Sequence, residues 1–332
     1  MHYDVYGIGA ALVDTEIEVS DQDLVELGIT KGHMTLVDMA RQSELEQYLS
    51  THMTFSKRAS GGSAANSIIA ASYFGAKAFY SCKVAADDNG AFYLQDMAAA
   101  GVDCNQQGEG DDGKTGRCLV LITPDVERTM LTHLGISETL CSRVLDMDAI
   151  KRSKYVYIEG YLVTSPTGRA AAMAWRAAAE QQGVKTALSL SDPGMVEFFG
   201  DGLREILGNG VDLLFCNEGE AMGFTGKNTV QAAAEALKSV ATTFAITRGA
   251  KGALVFDGQS FHDIAPHAVR AVDSNGAGDM FAGAFLYALT HGYSYSDAGR
   301  LASRASAEVV SAYGPRLQPA KHGIIQQEVL GS

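Results

Sequence analysis

The chain is poor in proline, cysteine, tryptophan and positive charge. Its 332 residues include only 6 Pro, 5 Cys and 1 Trp, and 26 Lys and Arg stand against 39 Asp and Glu. With so little proline and no Pro/Ser-rich tract there is no linker to divide the chain, and no internal repeat is visible. The length fits one large α/β domain carrying insertions. The cysteines, Cys82, Cys104, Cys118, Cys141 and Cys216, are odd in number and never spaced as CxxC. That pattern excludes a disulfide framework and a structural zinc site, and implies reduced thiols. The formal net charge of −13 is not offset by any basic segment, which argues against nucleic acid and anionic membrane surfaces as partners. No apolar run approaches the roughly 18 residues of a membrane helix. The start, Met1-His2-Tyr3-Asp4-Val5-Tyr6, has an early acid and no basic flank, so no signal peptide is expected and the expected location is the cytoplasm. The 8 histidines show no HExxH-type spacing. No GxxxxGK[ST] run occurs, so Lys251 is not read as a P-loop lysine.

What is present is an alternation of strand and helix. Tyr3–Gly9, Ala76–Cys82, Lys154–Ile158, Lys185–Leu190, Asp212–Cys216 and Thr243–Thr247 read as buried strands. Between them, 66–74, 90–100, 167–182 and 229–240 carry helical patterns, and Trp175 reads as a packing residue within one of them. After Ala253–Phe256 the chain turns strongly helical, over 276–291 and 296–312. This rhythm predicts a parallel sheet with helices on both faces. Thr15–Val19, Arg117–Thr123 and Arg128–Leu134 break it, and with the Gly108–Gly113 run beside them they predict a small β-sheet lid.

The most informative stretch is Asp273-Ser274-Asn275-Gly276-Ala277-Gly278-Asp279, a small-residue turn that opens into the apolar helix beginning Met280-Phe281-Ala282. Gly276, Ala277 and Gly278 let backbone N–H groups converge at a helix N-terminus, where orphan donors and the macrodipole favour an anion. Asp279 at the end of that cradle can reach a hydroxyl that attacks a held phosphoryl group; on spacing alone it reads equally as a favourable first-turn carboxylate. In Ser60-Gly61-Gly62-Ser63-Ala64-Ala65-Asn66, paired glycines permit close backbone approach to a ligand, although Gly-Gly followed by Asn is also a common loop and cap. Gly7-Ile8-Gly9 starts a dinucleotide fingerprint, but Leu12 stands where its third glycine belongs. Asn217-Glu218-Gly219-Glu220 begins a helix with an acidic first turn.

The Asp273–Asp279 stretch resembles the second signature of the ribokinase-like (PfkB) family of carbohydrate and nucleoside kinases. The form with Asn275 before Gly-Ala-Gly-Asp is most similar to its adenosine kinases, and the resemblance runs from Tyr6 to about Gln318. It implies a Rossmann-like, doubly wound, mostly parallel sheet with helices on both faces and a small β-sheet lid. The whole of 1–332 would form one kinase domain, with the lid inserted from about 15–20 and 104–135. By resemblance, Asp279 is the catalytic base, and Gly276, Ala277 and Gly278 form the anion hole for the γ-phosphate. Arg128 sits where the family has a lid arginine near the moving phosphate. Gly62 and Asn66 would take the substrate-loop roles, with Ser63 beside the base. Asp14, with Leu12 near it, would grip the ribose hydroxyls, since a carboxylate can accept from two adjacent O–H donors. Tyr161 would stack on the base, stabilising it by roughly 1 kcal/mol. Asn217 and Glu220 would organise water and Mg²⁺ around ATP, with Thr247, Gly249 and Gly252 alongside the nucleotide. Asp273, with carbonyls near Asn275, Ala312 and Gly314, falls where many relatives hold a monovalent cation such as K⁺.

Two positions depart from the usual patterns. Ala10 replaces the Asn that many adenosine kinases have after the second glycine, whereas Ile68 is the adenosine-kinase residue where sugar kinases carry a small one. The expectation is therefore an ATP- and Mg²⁺-dependent kinase of a nucleoside 5′-hydroxyl, adenosine first. The alternatives are a kinase of another nucleoside or of a free sugar such as ribose or fructose, and, in a different class, a silent sugar or nucleotide sensor. Either a monomer or a homodimer clasped through the lid is compatible with the resemblance.

Overall fold

The computed structural model describes residues 2–50, 57–107, 113–125 and 127–331. Residues 108–112 of the glycine-rich run beside the expected lid, and Met1, lie outside them. The first half comprises β1 (Tyr3–Ile8), β2 (Leu12–Glu18), α1 (Asp21–Glu26), β3 (Met34–Leu36), α2 (Met39–Ser50), β4 (Lys57–Gly61), α3 (Ser63–Phe74), β5 (Ala78–Lys83), α4 (Asp88–Ala99), β6 (Val102–Gln107), β7 (Gly116–Ile122) and β8 (Arg128–His133). There follow α5 (Met147–Lys151), β9 (Ser153–Glu159), α6 (Pro166–Gln181), β10 (Lys185–Ser189), α7 (Pro193–Leu207), β11 (Val211–Asn217), α8 (Glu218–Thr225), α9 (Val230–Leu237) and β12 (Ala241–Thr247). The chain closes with β13 (Ala253–Phe256), β14 (Phe261–Ile264), α10 (Ala277–Thr290), α11 (Tyr295–Val309) and α12 (Pro319–Leu330).

Nine described strands form the large sheet, in the order β14-β13-β12-β11-β10-β9-β1-β5-β6. It is parallel from β12 to β6, and the β12-β13-β14 edge is antiparallel. Side chains sort onto its two faces with period 2. Along β9, Tyr155 and Tyr157 join the core beneath α3, α10 and α11, while Val156 and Ile158 join the core beneath α6 and α7. Trp175 is fully buried in the second core and meets the Tyr6 ring edge-on at 5.5 Å. The strand order reverses between β1 and β9, so a crevice opens beyond their carboxyl ends.

A second sheet, β3-β8-β7-β2-β4, stands over that crevice. Alternation in β7 gives it two apolar faces: Cys118, Val120 and Ile122 group with Leu12 and Met130, while Leu119 and Leu121 pack under Leu24, Leu45 and Leu49 of α1 and α2. This sheet draws on more of the chain than the segments expected at about 15–20 and 104–135, because β3 and β4 also belong to it. The 104–107 stretch lies instead in β6, the parallel edge of the large sheet, paired with β5. The helix expected over 296–312, α11, stops at Val309, and the Val310 carbonyl accepts from Val272 N at 2.7 Å. No described helix is long and apolar enough to cross a membrane.

Candidate active site

The crevice is a cavity of about 440 Å³ walled by both sheets. Its floor is a series of strand ends: Ala10 and Leu12 after β1, Glu159 and Tyr161 after β9, Ser189 and Asp192 after β10, Asn217 after β11, and Thr247 and Gly249 after β12. Asp14 on β2 and Arg128 on β8 face it from the small sheet. Gly62 leads from β4 into α3 with φ +96°, and a Cβ there would stand 2.4 Å from the Ala10 carbonyl oxygen, so only glycine fits this crossing between the sheets.

Opposite lies the start of α10. Its N-cap is Gly276, at φ +72° and with no side chain to occupy the first-turn N–H groups. A Cβ on Gly276 would meet the Pro315 carbonyl oxygen at 2.3 Å. In the same turn, the Asp279 carboxylate accepts from Ser63 Oγ at 2.6 Å and from Asn66 Nδ2 at 3.1 Å. Arg128 reaches the same end of the helix, donating through Nη1 to the Ser274 carbonyl at 3.1 Å. An uncapped helix N-terminus, an arginine and a carboxylate thus share one wall. Such a wall can hold a polyanion and take a proton beside it.

Three carboxyls of the site, Asp14, Glu159 and Glu220, are buried and a fourth, Asp279, is partly so; with few cations about, desolvation raises all of them. Asp14 is pushed up to about 8 by desolvation, with Arg316 pulling down and Glu16 and Asp279 pushing up. Glu159 and Glu220 are each pushed up to about 7 by desolvation. Asp279 is raised by desolvation, opposed by its Ser63 and Asn66 hydrogen bonds and by Arg128 and Arg316. A carboxyl whose pKa is higher folded than unfolded binds extra protons in the folded state between the two values, and its stabilisation is lost as pH rises through the folded value. Buried His322, pushed down by desolvation, opposes this as a single group. The ligand-free protein should therefore lose several degrees of Tm between pH 5.5 and 8.5 in differential scanning calorimetry. A flat or rising Tm over that range would contradict this charge distribution.

Asn217 and Glu220 form a reciprocal cap on α8. Asn217 Oδ1 accepts from Glu220 N at 2.8 Å, while the Glu220 carboxylate accepts from Asn217 N at 3.0 Å and Nδ2 at 2.6 Å. With both oxygens engaged, Glu220 suits a hydrated Mg²⁺ better than a directly bonded one, and nearby Asp192 adds a second buried carboxylate. The residues fit such an ion.

Two expected site residues stand back from the cavity lining. Gly252 closes the turn after β12, donating to Gly249 O at 3.0 Å and accepting from Arg248 N at 2.8 Å. Asp273 is fully buried and ties two backbone segments together, accepting from Asn275 N at 2.8 Å and Gly314 N at 2.9 Å. A monovalent cation there would rely on backbone carbonyls.

Two residues had no signal in the sequence. Glu159 accepts from Ala10 N and Ala64 N, both at 2.7 Å, and so pins the first crossing into the small sheet to the start of α3. Arg316 donates to Asn66 from behind the site. Each is one charged residue without a local pattern.

A doubly wound sheet under a small sheet, with a helix N-terminus and a carboxylate in the crevice between them, defines a phosphotransferase of the ribokinase-like fold. The family model described as pfkB family carbohydrate kinase matches residues 21–321, and the chain belongs to that family. It is an ATP-dependent kinase acting on an alcohol group. The chain is 29% identical over 307 residues to adenosine kinase of Saccharomyces cerevisiae, covering 86% of this chain and 88% of the relative. The crystal structure of adenosine kinase from Sinorhizobium meliloti superposes with a TM-score of 0.92 at 31% identity, covering 99% of this chain and all of that one. A probable sugar kinase protein from Rhizobium etli CFN 42 superposes equally, with a TM-score of 0.92, 31% identity and 99% of both chains covered.

Proposed function

We propose that this kinase transfers the γ-phosphoryl group of ATP to the 5′-hydroxyl of a nucleoside, adenosine first, giving AMP and ADP. The observation that carries this reading is the Asp279 carboxylate at the uncapped start of α10, hydrogen-bonded by Ser63 and Asn66, with Asp14 across the cavity. Asp14 and Asn66 hold the ribose hydroxyls, and Asp279 accepts the 5′-hydroxyl proton as the new O–P bond forms and the bond to the ADP oxygen breaks. The amides of Gly276, Ala277 and Gly278, with the Arg128 guanidinium, take up charge on the moving phosphoryl oxygens. Asn217 and Glu220 hold the hydration shell of Mg²⁺, which when bound neutralises phosphate charge. The small sheet covers the reacting atoms and limits hydrolysis of ATP by water.

Nucleoside is favoured over free sugar by the walls of the cavity on the small-sheet side. Leu12, Met34, Cys118, Met130 and Leu134 line it, with Tyr161 and Leu162 on the large-sheet side. A sugar presents hydroxyls all round and leaves such walls wet, whereas a heteroaromatic base covers them. Because α1 and α2 already cover the outer face of the small sheet, a monomer is favoured over a dimer clasped through it.

The test is a coupled assay of ADP release with Mg-ATP and K⁺, comparing adenosine, inosine, guanosine, cytidine, ribose and fructose. Adenosine should give the highest kcat/KM, ahead of either free sugar by at least about a hundredfold, the scale of binding a base of this size. A preference for ribose or fructose would overturn the nucleoside assignment while leaving the chemistry at Asp279 in place.

A further inference from the structure

Arg316, between α11 and α12, is largely buried, and its guanidinium reaches three elements at once. Nε donates to Asn66 Oδ1 at 3.0 Å, Nη1 to Asp96 at 2.9 Å and Nη2 to Ser60 Oγ at 2.8 Å. Ser60, fully buried on β4 just before the Gly61–Gly62 turn, also donates its N–H to Asp96 at 3.2 Å. A guanidinium has donors only, so Nε can meet Asn66 only through the amide oxygen. This decides which way round the Asn66 amide lies. Its Nδ2 is turned to Asp279, 3.1 Å away, and one N–H remains for a ligand.

We propose that Arg316 is a positioning residue for phosphoryl transfer, locking the Asn66 amide so that it donates to Asp279 and to an acceptor hydroxyl, and fastening that pair to β4 of the small sheet. The role rests on the reading of Asp279 as the base. Without the guanidinium the amide can rotate and turn its oxygen to the carboxylate, which replaces a hydrogen bond by a repulsion. The charge of Arg316 acts in the same place. It draws down both Asp14 and Asp279 against desolvation; Arg128 helps at Asp279, while like charge on Asp279 raises both Asp14 and Glu159, and Glu16 also raises Asp14.

Arg316→Lys keeps the charge and loses the three-way fork; Arg316→Gln loses both. Both variants should lower kcat/KM by about 10–100-fold, the scale of a small misplacement at a reacting centre. Only Arg316→Gln should also move the acidic limb of the kcat/KM pH profile to higher pH, since losing a cation raises a carboxylate pKa. In an Asn66→Ala background, Arg316→Lys should change kcat/KM by less than about twofold, because two residues acting as one unit are not additive. Asp96→Asn, which loosens the fork from its other end, should act in the same direction and serves if the Arg316 variants do not fold. A lowered Tm with wild-type kcat, KM and pH limb, or additive effects with Asn66→Ala, would overturn the proposal. Asp279→Asn separates it from the reading beneath: retained turnover there defeats the base assignment, whereas lost turnover beside fully active Arg316 variants defeats only the positioning role.

Discussion

Asp279→Asn is expected to lower kcat by about a thousandfold, within the 10²–10⁴ range for removing a positioned general base. The two side chains have nearly the same shape, and the Ser63 hydroxyl can turn to accept from the new amide N–H while Asn66 keeps donating to its oxygen. What is lost is the capacity to accept a proton. The fold should not suffer: the carboxyl is held above its ordinary range by burial, so the folded protein gains nothing from ionising it. An unchanged Tm at pH 6, and an unchanged or raised Tm at pH 8, should accompany the kinetic loss. The wild-type acidic limb in kcat/KM should disappear with the carboxylate. A variant turning over within tenfold of wild type would remove Asp279 from the chemistry, and the uncapped helix start would then remain as a binding feature only.

The parts of the site that could be read from the sequence are those whose chemistry is local. Gly276 to Asp279 bring a positive-φ cap, first-turn amides with no capping side chain and a carboxylate together in four consecutive residues, and Asn217 and Glu220 stand at the spacing of a reciprocal helix cap. The strands of the large sheet were legible for a similar reason, being short apolar runs bounded by turns, as β9 and β11 show. Glu159 and Arg316 were not legible. Glu159 works on amides 149 and 95 residues away, and Arg316 on an asparagine 250 residues away, so nothing near them in sequence announces a partner. The extra strands of the small sheet leave no such signal for a different reason. β3 is three residues long and β4 reads Lys-Arg-Ala-Ser-Gly, and neither has the alternation that marks a half-buried strand. Edge strand β6, with its polar Asp103, Asn105, Gln106 and Gln107, offered no apolar run to place it in the large sheet.

Charge ties these observations together. A chain of net charge −13 that takes a polyanion needs a local reversal of its field. Here it comes from the helix start at Gly276, from Arg128 above it and from Arg316 behind it, the last two both pulling Asp279 toward its ionised form. On the proposed reading, Arg128 beside the phosphate would also help hold the base toward its ionised form, with Arg316 acting in the same direction from behind.

Gly276→Ala tests the meeting point of these roles. At φ +72° a non-glycine residue costs about 1–2 kcal/mol, and the new Cβ would also stand 2.3 Å from the carbonyl oxygen and 2.5 Å from the Cα of Pro315. These are backbone atoms, which cannot swing aside as a side chain does. Either the first turn of α10 moves, carrying the amides and Asp279 with it, or Pro315 moves and takes Arg316 away from Asn66. Both routes lower kcat, by about a hundredfold or more on the scale of losing a preorganised donor at developing charge, and both lower Tm. Gly278→Ala is the comparison: a Cβ there meets nothing within 4 Å, so its Tm should equal the wild type's whatever happens to kcat. A Gly276→Ala protein with wild-type Tm and wild-type kcat would mean that the turn tolerates displacement, and the cradle could no longer be credited with holding the phosphoryl group in register with Asp279.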